Sequence, residues 1–207
     1  FVQFSVMAHN KPFKRTKNSL LFSSLKNQVL SQAVHEDTVR LFMGTIMLQL
    51  IIPPQWQFTG RNRRPPTDPV NAMLSLGYTL LHSHTDSMLR IAGLMPWSGF
   101  YHQTHGSHAA LALDLMEPFR HLVERTVLTV IKCKQLSTDD FSQHETQGVQ
   151  MSQEAQKIYL TQLEKRFLTP VKVKGQSTGH SLHGHLHEQN VSLKQCLNNI
   201  MALLASL

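Results

Sequence analysis

The dipeptide Asp68-Pro69, opening a long apolar stripe, constrains this chain more than any other stretch. Aspartate is a strong helix N-cap, and proline suits the first helical position, where no amide donor is required. Val70, Met73, Leu74, Gly77, Leu80, Leu81, Met88 and Ile91 then fall on or near one face, which predicts a helix over residues 69–91. Gly93, Pro96 and Gly99 punctuate the loop after it.

The same periodicity runs through most of the chain. Residues 18–30 and 33–52 read as helices, the second halted by Pro53-Pro54. Residues 53–68 form a loop rich in Pro and Arg. Residues 109–131 read as a buried helix kinked at Pro118, which leaves the carbonyl of Asp114 without its usual donor. Further helices are expected at 138–147 and 152–168, the latter capped by Ser152, and a last one at 191–207. Residues 169–189, polar and Gly-containing, read as a flexible loop or short hairpin. Residues 1–17 are non-helical, a strand-like piece at 1–7 followed by Lys11, Lys14, Arg15 and Lys17. The fold class is therefore mainly α. The 207 residues suit one domain, and 41% hydrophobic content excludes a wholly disordered chain.

Lys plus Arg number 20 against 13 Asp plus Glu, a formal charge of +7. Such a surplus points to a polyanion, most often nucleic acid and less often an anionic membrane. Two cysteines, Cys133 and Cys196, make neither a disulfide framework nor a four-thiolate zinc site, which fits a reducing, cytoplasmic setting. No run approaches the roughly 18 apolar residues of a spanning helix; the best, 41–52, is broken by Gly44, Thr45 and Gln49. The expectation is a soluble chain. It starts Phe1-Val2-Gln3-Phe4, without Met or a signal-peptide layout, as expected of a segment inside a longer polypeptide.

Several residues could carry chemistry. Asp114 and Glu117 sit one helical turn apart in an apolar stretch, where two carboxylates need a cation, and Arg120 or a metal are the candidates. Glu36, near the start of the 33–52 helix, shares a face with Arg40, so an ordinary surface pair explains it in isolation. His102, His105 and His108 recur at threes, but the surrounding glycines argue for a loop over a zinc face. His180, His183, His185 and His187 read as a solvated loop in preference to a metal site. Arg61, Arg63 and Arg64 form the densest basic patch, suited to phosphate contact, while Trp56 and Phe58 beside them could stack on a base or fill the core.

Three segments, GRNRRPPTDPVNAMLSLGYTLL (60–81), GLMPWSGFYH (93–102) and LALDLMEPFRHLVE (111–124), in this order and spacing, resemble the CRISPR-associated spacer-acquisition integrase, the first of the CRISPR-associated proteins. The resemblance extends over roughly residues 20–207. It implies a catalytic α domain over 18–207, preceded by a β domain of which residues 1–17 are at most the tail or linker. It also implies a metal site of Glu36, His102 and Glu117, with Asp114 nearby and no role for His105 or His108. Asp37 stands where the family usually has Gly, and Met95 where it has Asp; neither is a ligand position.

The implied reaction is metal-dependent endonuclease and integrase chemistry: the 3′-hydroxyl of a protospacer attacks a phosphodiester of the CRISPR repeat. Two carboxylates and an imidazole suit magnesium or manganese, the imidazole favouring manganese. The implied partners are DNA, a second copy of the chain, the second CRISPR-associated protein and, in some members, a fused reverse transcriptase; a membrane is not among them. Two other readings are open: a non-catalytic helical DNA-binding subunit, in which the three ligands need not converge, and a zinc hydrolase, in which His102, His105 and His108 would meet.

Overall fold

The computed structural model describes residues 47–62, 64–97, 99–100, 102, 109–171 and 179–205. The chain divides into two units, Phe1–Glu36 and Asp37–Leu207, and every described residue belongs to the second. The expected features of residues 1–46, including the first helix, most of the second and the N-terminal strand piece, lie outside the described residues. The fold is mainly helical.

The central element is α1, Pro69–Ile91, with the boundaries its cap dictates. Asp68 accepts from Asn71 N at 2.8 Å and from Asn71 Nδ2 at 2.6 Å, so cap and side chain lock each other. Val70, Met73, Leu81 and Leu89 are fully buried on its inner face. The helix packs against α2 (Ala110–Met116), α3 (Arg120–Lys132), the second strand and α5 (Leu182–Ala205). Gly77 permits the closest approach: a Cβ there would overlap Val123 Cγ1 on α3 and the hydroxyl of Tyr159 on α4 (Gln153–Leu168). Ser152 caps α4 by accepting from Ala155 N at 3.2 Å.

Pro118 interrupts the 109–131 segment as expected. α2 ends at Met116, a 3₁₀ turn spans Glu117–Phe119, and α3 starts afresh at Arg120. The aromatics of the loop before α1 belong to the core. Trp56, in the 3₁₀ turn Pro54–Trp56, is buried edge-on against Phe141 with ring centroids 5.9 Å apart, and Phe58 packs on the same cluster.

Two expectations are corrected. Residues 138–147 are not a helix: a 3₁₀ turn, Thr138–Asp140, leads into an antiparallel hairpin of β1 (Phe141–His144) and β2 (Gly148–Met151). Ser137 and Asp140 cap each other and close the turn after one revolution. Gly148 takes φ 73° beneath the Pro66 carbonyl, a conformation that favours glycine. The last helix begins at Leu182, not 191. Leu182, Leu186 and Asn190, spaced by four, are buried along it, and this stripe outweighs the polar histidines between them. Among the described residues of the stretch expected as a flexible loop or short hairpin, Val171 forms an antiparallel bridge with His180.

Candidate metal and DNA site

The turn after α1 returns to α2 through His102, and Asp114 holds it there. The Asp114 carboxylate accepts from the backbone N–H of Phe100 at 2.6 Å and of His102 at 3.0 Å. Its Oδ1 also lies 2.6 Å from His102 Nδ1, and the Asp114 side chain is only 6% exposed. An aspartate bonded to Nδ1 orients the ring and puts the Nδ1 proton on its own side, which gives Nε2 the lone pair used in ligation. Gly99 completes the cradle, because a Cβ there would meet Ala110 and the His102 carbonyl.

Glu117 stands just past α2. Arg120 Nη1 donates to its two oxygens at 2.9 and 3.2 Å, so of the two cations weighed for this pair of carboxylates Arg120 is paired with Glu117. Asp114, by contrast, takes His102 and two backbone amides as its partners. The guanidinium of Arg120 lies over the ring of Tyr78, Cζ 4.3 Å from the centroid. Burial works against the charge of Arg120, but Tyr78 and Glu117 outweigh it and hold its pKa above the ordinary arginine value. The Tyr78 hydroxyl donates to Glu124 Oε1 at 3.1 Å. Burial pushes Glu124 above the usual carboxylate range and Tyr78 above the usual phenol range.

Of the expected ligands, His102 and Glu117 are described and Glu36 is not. Among the described residues no three His, Cys, Asp or Glu side chains come together to hold a metal ion. An imidazole and a carboxylate are donor types that suit a divalent cation such as magnesium or manganese. His105 and His108 lie outside the described residues, as does Arg63. Arg61 is turned inward: Nη1 donates to Asn71 Oδ1 at 2.8 Å, Nη2 to Ser75 Oγ at 3.1 Å, and Cζ is 5.5 Å from the Tyr78 centroid. Arg64 is exposed.

The second histidine cluster is not a solvated loop. His183 Nε2 lies 3.0 Å from His84 Nδ1, joining α5 to α1, and His180 Nε2 lies 3.1 Å from Glu188 Oε1. His185 is also beside Glu188, its Nδ1 3.9 Å from Oε2, and only His187 is exposed. Sequence reasoning missed Tyr78 and Glu124.

The described domain is helical, with one histidine, His102, oriented by a nearly buried aspartate and one glutamate, Glu117, held by an arginine. Residues 46–165 match the family model of CRISPR associated protein Cas1, and the chain belongs to that family. It is 53% identical over 89 residues to a CRISPR-associated exonuclease Cas4/endonuclease Cas1 fusion of Rhodospirillum rubrum, covering 42% of this chain and 15% of that protein. It is 47% identical over 98 residues to CRISPR-associated endonuclease Cas1 1 of Thermodesulfovibrio yellowstonii, covering 47% of this chain and 31% of that one. The fold is similar to a chain of a Cas6-RT-Cas1–Cas2 complex, with TM-score 0.64 and 44% identity, over 72% of this chain and 16% of that chain. The chain thus spans less than a third of the length of either of these curated relatives. Among the described residues no helix is long and apolar enough to cross a membrane.

Proposed function

We propose that this chain supplies the catalytic helical domain of a cytoplasmic CRISPR spacer-acquisition endonuclease and integrase, one that joins protospacer 3′-hydroxyl ends to the CRISPR repeat by transesterification. Residues 18–207 would form that domain and residues 1–17 the tail of a preceding β domain. Glu36, His102 and Glu117 would hold one magnesium or manganese ion. When bound, the ion polarises the scissile phosphate and offsets the charge developing on the attacking and leaving oxygens.

The chain's own residues prepare that chemistry. Asp114 orients the His102 ring and ties the turn that carries it. Arg120 offsets the charge of Glu117 and restricts its carboxylate. The exposed Arg64, with Arg63, would contact DNA phosphates, while Arg61 braces the loop from within. The reading extends to a homodimer bridged by the second CRISPR-associated protein, since joining both ends of a fragment needs two active centres. A fused reverse transcriptase fits the likeness to the Cas6-RT-Cas1–Cas2 chain.

The observation that carries the reading is the 2.6 Å contact of His102 Nδ1 with a nearly buried Asp114, in a chain of this family. Glu36→Ala, His102→Ala and Glu117→Ala, made in the full-length protein, should each abolish joining of a DNA oligonucleotide to a repeat substrate. Circular dichroism should show the fold retained, because each change removes little apolar burial. His105→Ala and His108→Ala should be mild. Near wild-type joining by any of the first three, with manganese supplied, would sink the mechanism.

A further inference from the structure

Beside Glu117 stands a group of side chains that neither metal ligation nor DNA contact explains. Tyr78, half-buried on α1, lies against two guanidiniums, Arg120 at 4.3 Å and Arg61 at 5.5 Å from its centroid. Its hydroxyl is fixed by Glu124, on α3 with Arg120. Arg120 reaches Glu117 through one nitrogen, Nη1, although a guanidinium usually grips a carboxylate with two. Its Nε is buried with no hydrogen-bond partner. With one nitrogen on Glu117, the guanidinium takes its remaining constraint from Tyr78, whose ring face lies under it and whose hydroxyl interacts with it.

We propose that Tyr78 is a positioning residue. Its ring, anchored by Glu124, sets the plane of Arg120 and thereby the direction in which Glu117 presents its carboxylate. This rests on the reading of Glu117 as a metal ligand. Ligands of metals depend on the groups that orient them, and loss of such a group costs on the order of ten- to a hundredfold in metal affinity. Glu124 suits its part: a half-buried carboxylate on the same helix as Arg120 holds the phenol at its tip, so the ring cannot turn away from the guanidinium.

The test uses the full-length protein and Mn²⁺ as the probe, its free concentration followed by electron paramagnetic resonance, with no DNA and no turnover. Y78L removes the ring and should weaken Mn²⁺ binding by about tenfold. Y78F keeps the ring but loses its anchor on Glu124, so its Mn²⁺ affinity should fall between those of Y78L and the wild type. Y78M replaces Y78L if the leucine variant does not fold, with the same expectation. A folded Y78L or Y78M with wild-type Mn²⁺ affinity overturns the proposal, as does a Y78F variant as weak as Y78L. E117Q separates the two levels: weakened binding in E117Q with none in Y78L removes the role of Tyr78 alone. Unchanged binding in E117Q removes the metal site itself and this inference with it.

Discussion

At the scale of single residues, Gly77 and Asp114 show how much of the site hangs on one side chain or its absence. Gly77 sits inside a helix, where alanine ordinarily gains about 1 kcal/mol. Here the added methyl would overlap Val123 and the fully buried Tyr159, and parting well-packed helices costs roughly 1–3 kcal/mol. The overlap involves two neighbours, so it should win. Gly77→Ala is expected to lower stability by about 1–2 kcal/mol, seen as a lower urea midpoint; an unchanged midpoint would show that α1 and α3 are free to part. The apolar stripe revealed that a face of 69–91 is buried, and Gly77 within it, but not which neighbours press on it. Asp114 was similarly half legible. Its need for a partner followed from two carboxylates in an apolar stretch, whereas the partner was a turn twelve residues upstream, beyond the reach of helical spacing.

At the scale of elements, α1 and α5 meet through an imidazole pair, His84 with His183, and this junction should respond to acid. Burial lowers the pKa of His84 from its usual 6.5, His183 adds to the effect, and Glu164 on α4 opposes it. Phe167, also on α4, meets the His84 ring edge-on. The folded protein therefore holds fewer protons at His84 than the unfolded chain does. Stability from this group is intact above pH 6.5 and is lost as the pH falls below it. Urea midpoints should drop between pH 7.5 and 5.5, and His84→Gln should flatten that drop. An equal slope in the variant would assign the acid sensitivity elsewhere. Glu124 works in the opposite sense, since a raised carboxyl pKa favours the folded state as it protonates, and the difference between wild type and variant removes that contribution.

The elements themselves were readable in proportion to the length of their pattern. α1 and α4 matched their expected spans because a cap residue and an apolar period agreed at each. The hairpin after Ser137 was missed because two strands of four residues offer only Phe141, Val149 and Met151 as inward-facing signals. The early start of α5 was missed because four histidines masked a stripe of spacing four. In both cases tertiary burial decided what local composition left open.

At the scale of the whole molecule, one layer of helices around α1 brings a turn, a broken helix and a basic loop to a common neighbourhood. The loop from Gly60 to Asp68 is fastened to α1 by Arg61 and Asn71, and β2 is fastened to the loop through Val149 N and the Pro66 carbonyl at 2.9 Å. The loop that carries Arg64 and, through Arg120 and Tyr78, the carboxylate of Glu117 are thus tied to the same helix. Family membership was legible from three motifs because they coincide with these attachments: the cap at Asp68, the Gly99–His102 turn and the Asp114–Glu117 segment.

The break at Pro118 has a kinetic meaning as well as a geometric one. α2 has seven residues, too few to persist alone in water, and Asp114 is the clasp between it and the turn before it. Turn and short helix should therefore open and close as one cooperative unit, while α3, wound independently beyond the proline, stays shut. Hydrogen exchange would register this as a shared opening free energy for the amides of Phe100, His102 and α2, lower than that of α3. Asp114→Asn should speed exchange across that whole unit and leave Val123 to Val130 unchanged; acceleration confined to the two turn amides would show that the helix does not share their fate. The imidazole would then have a lifetime in place, set by how often seven residues unwind, and a domain with a stiff core would carry a turn that is intermittently dismantled.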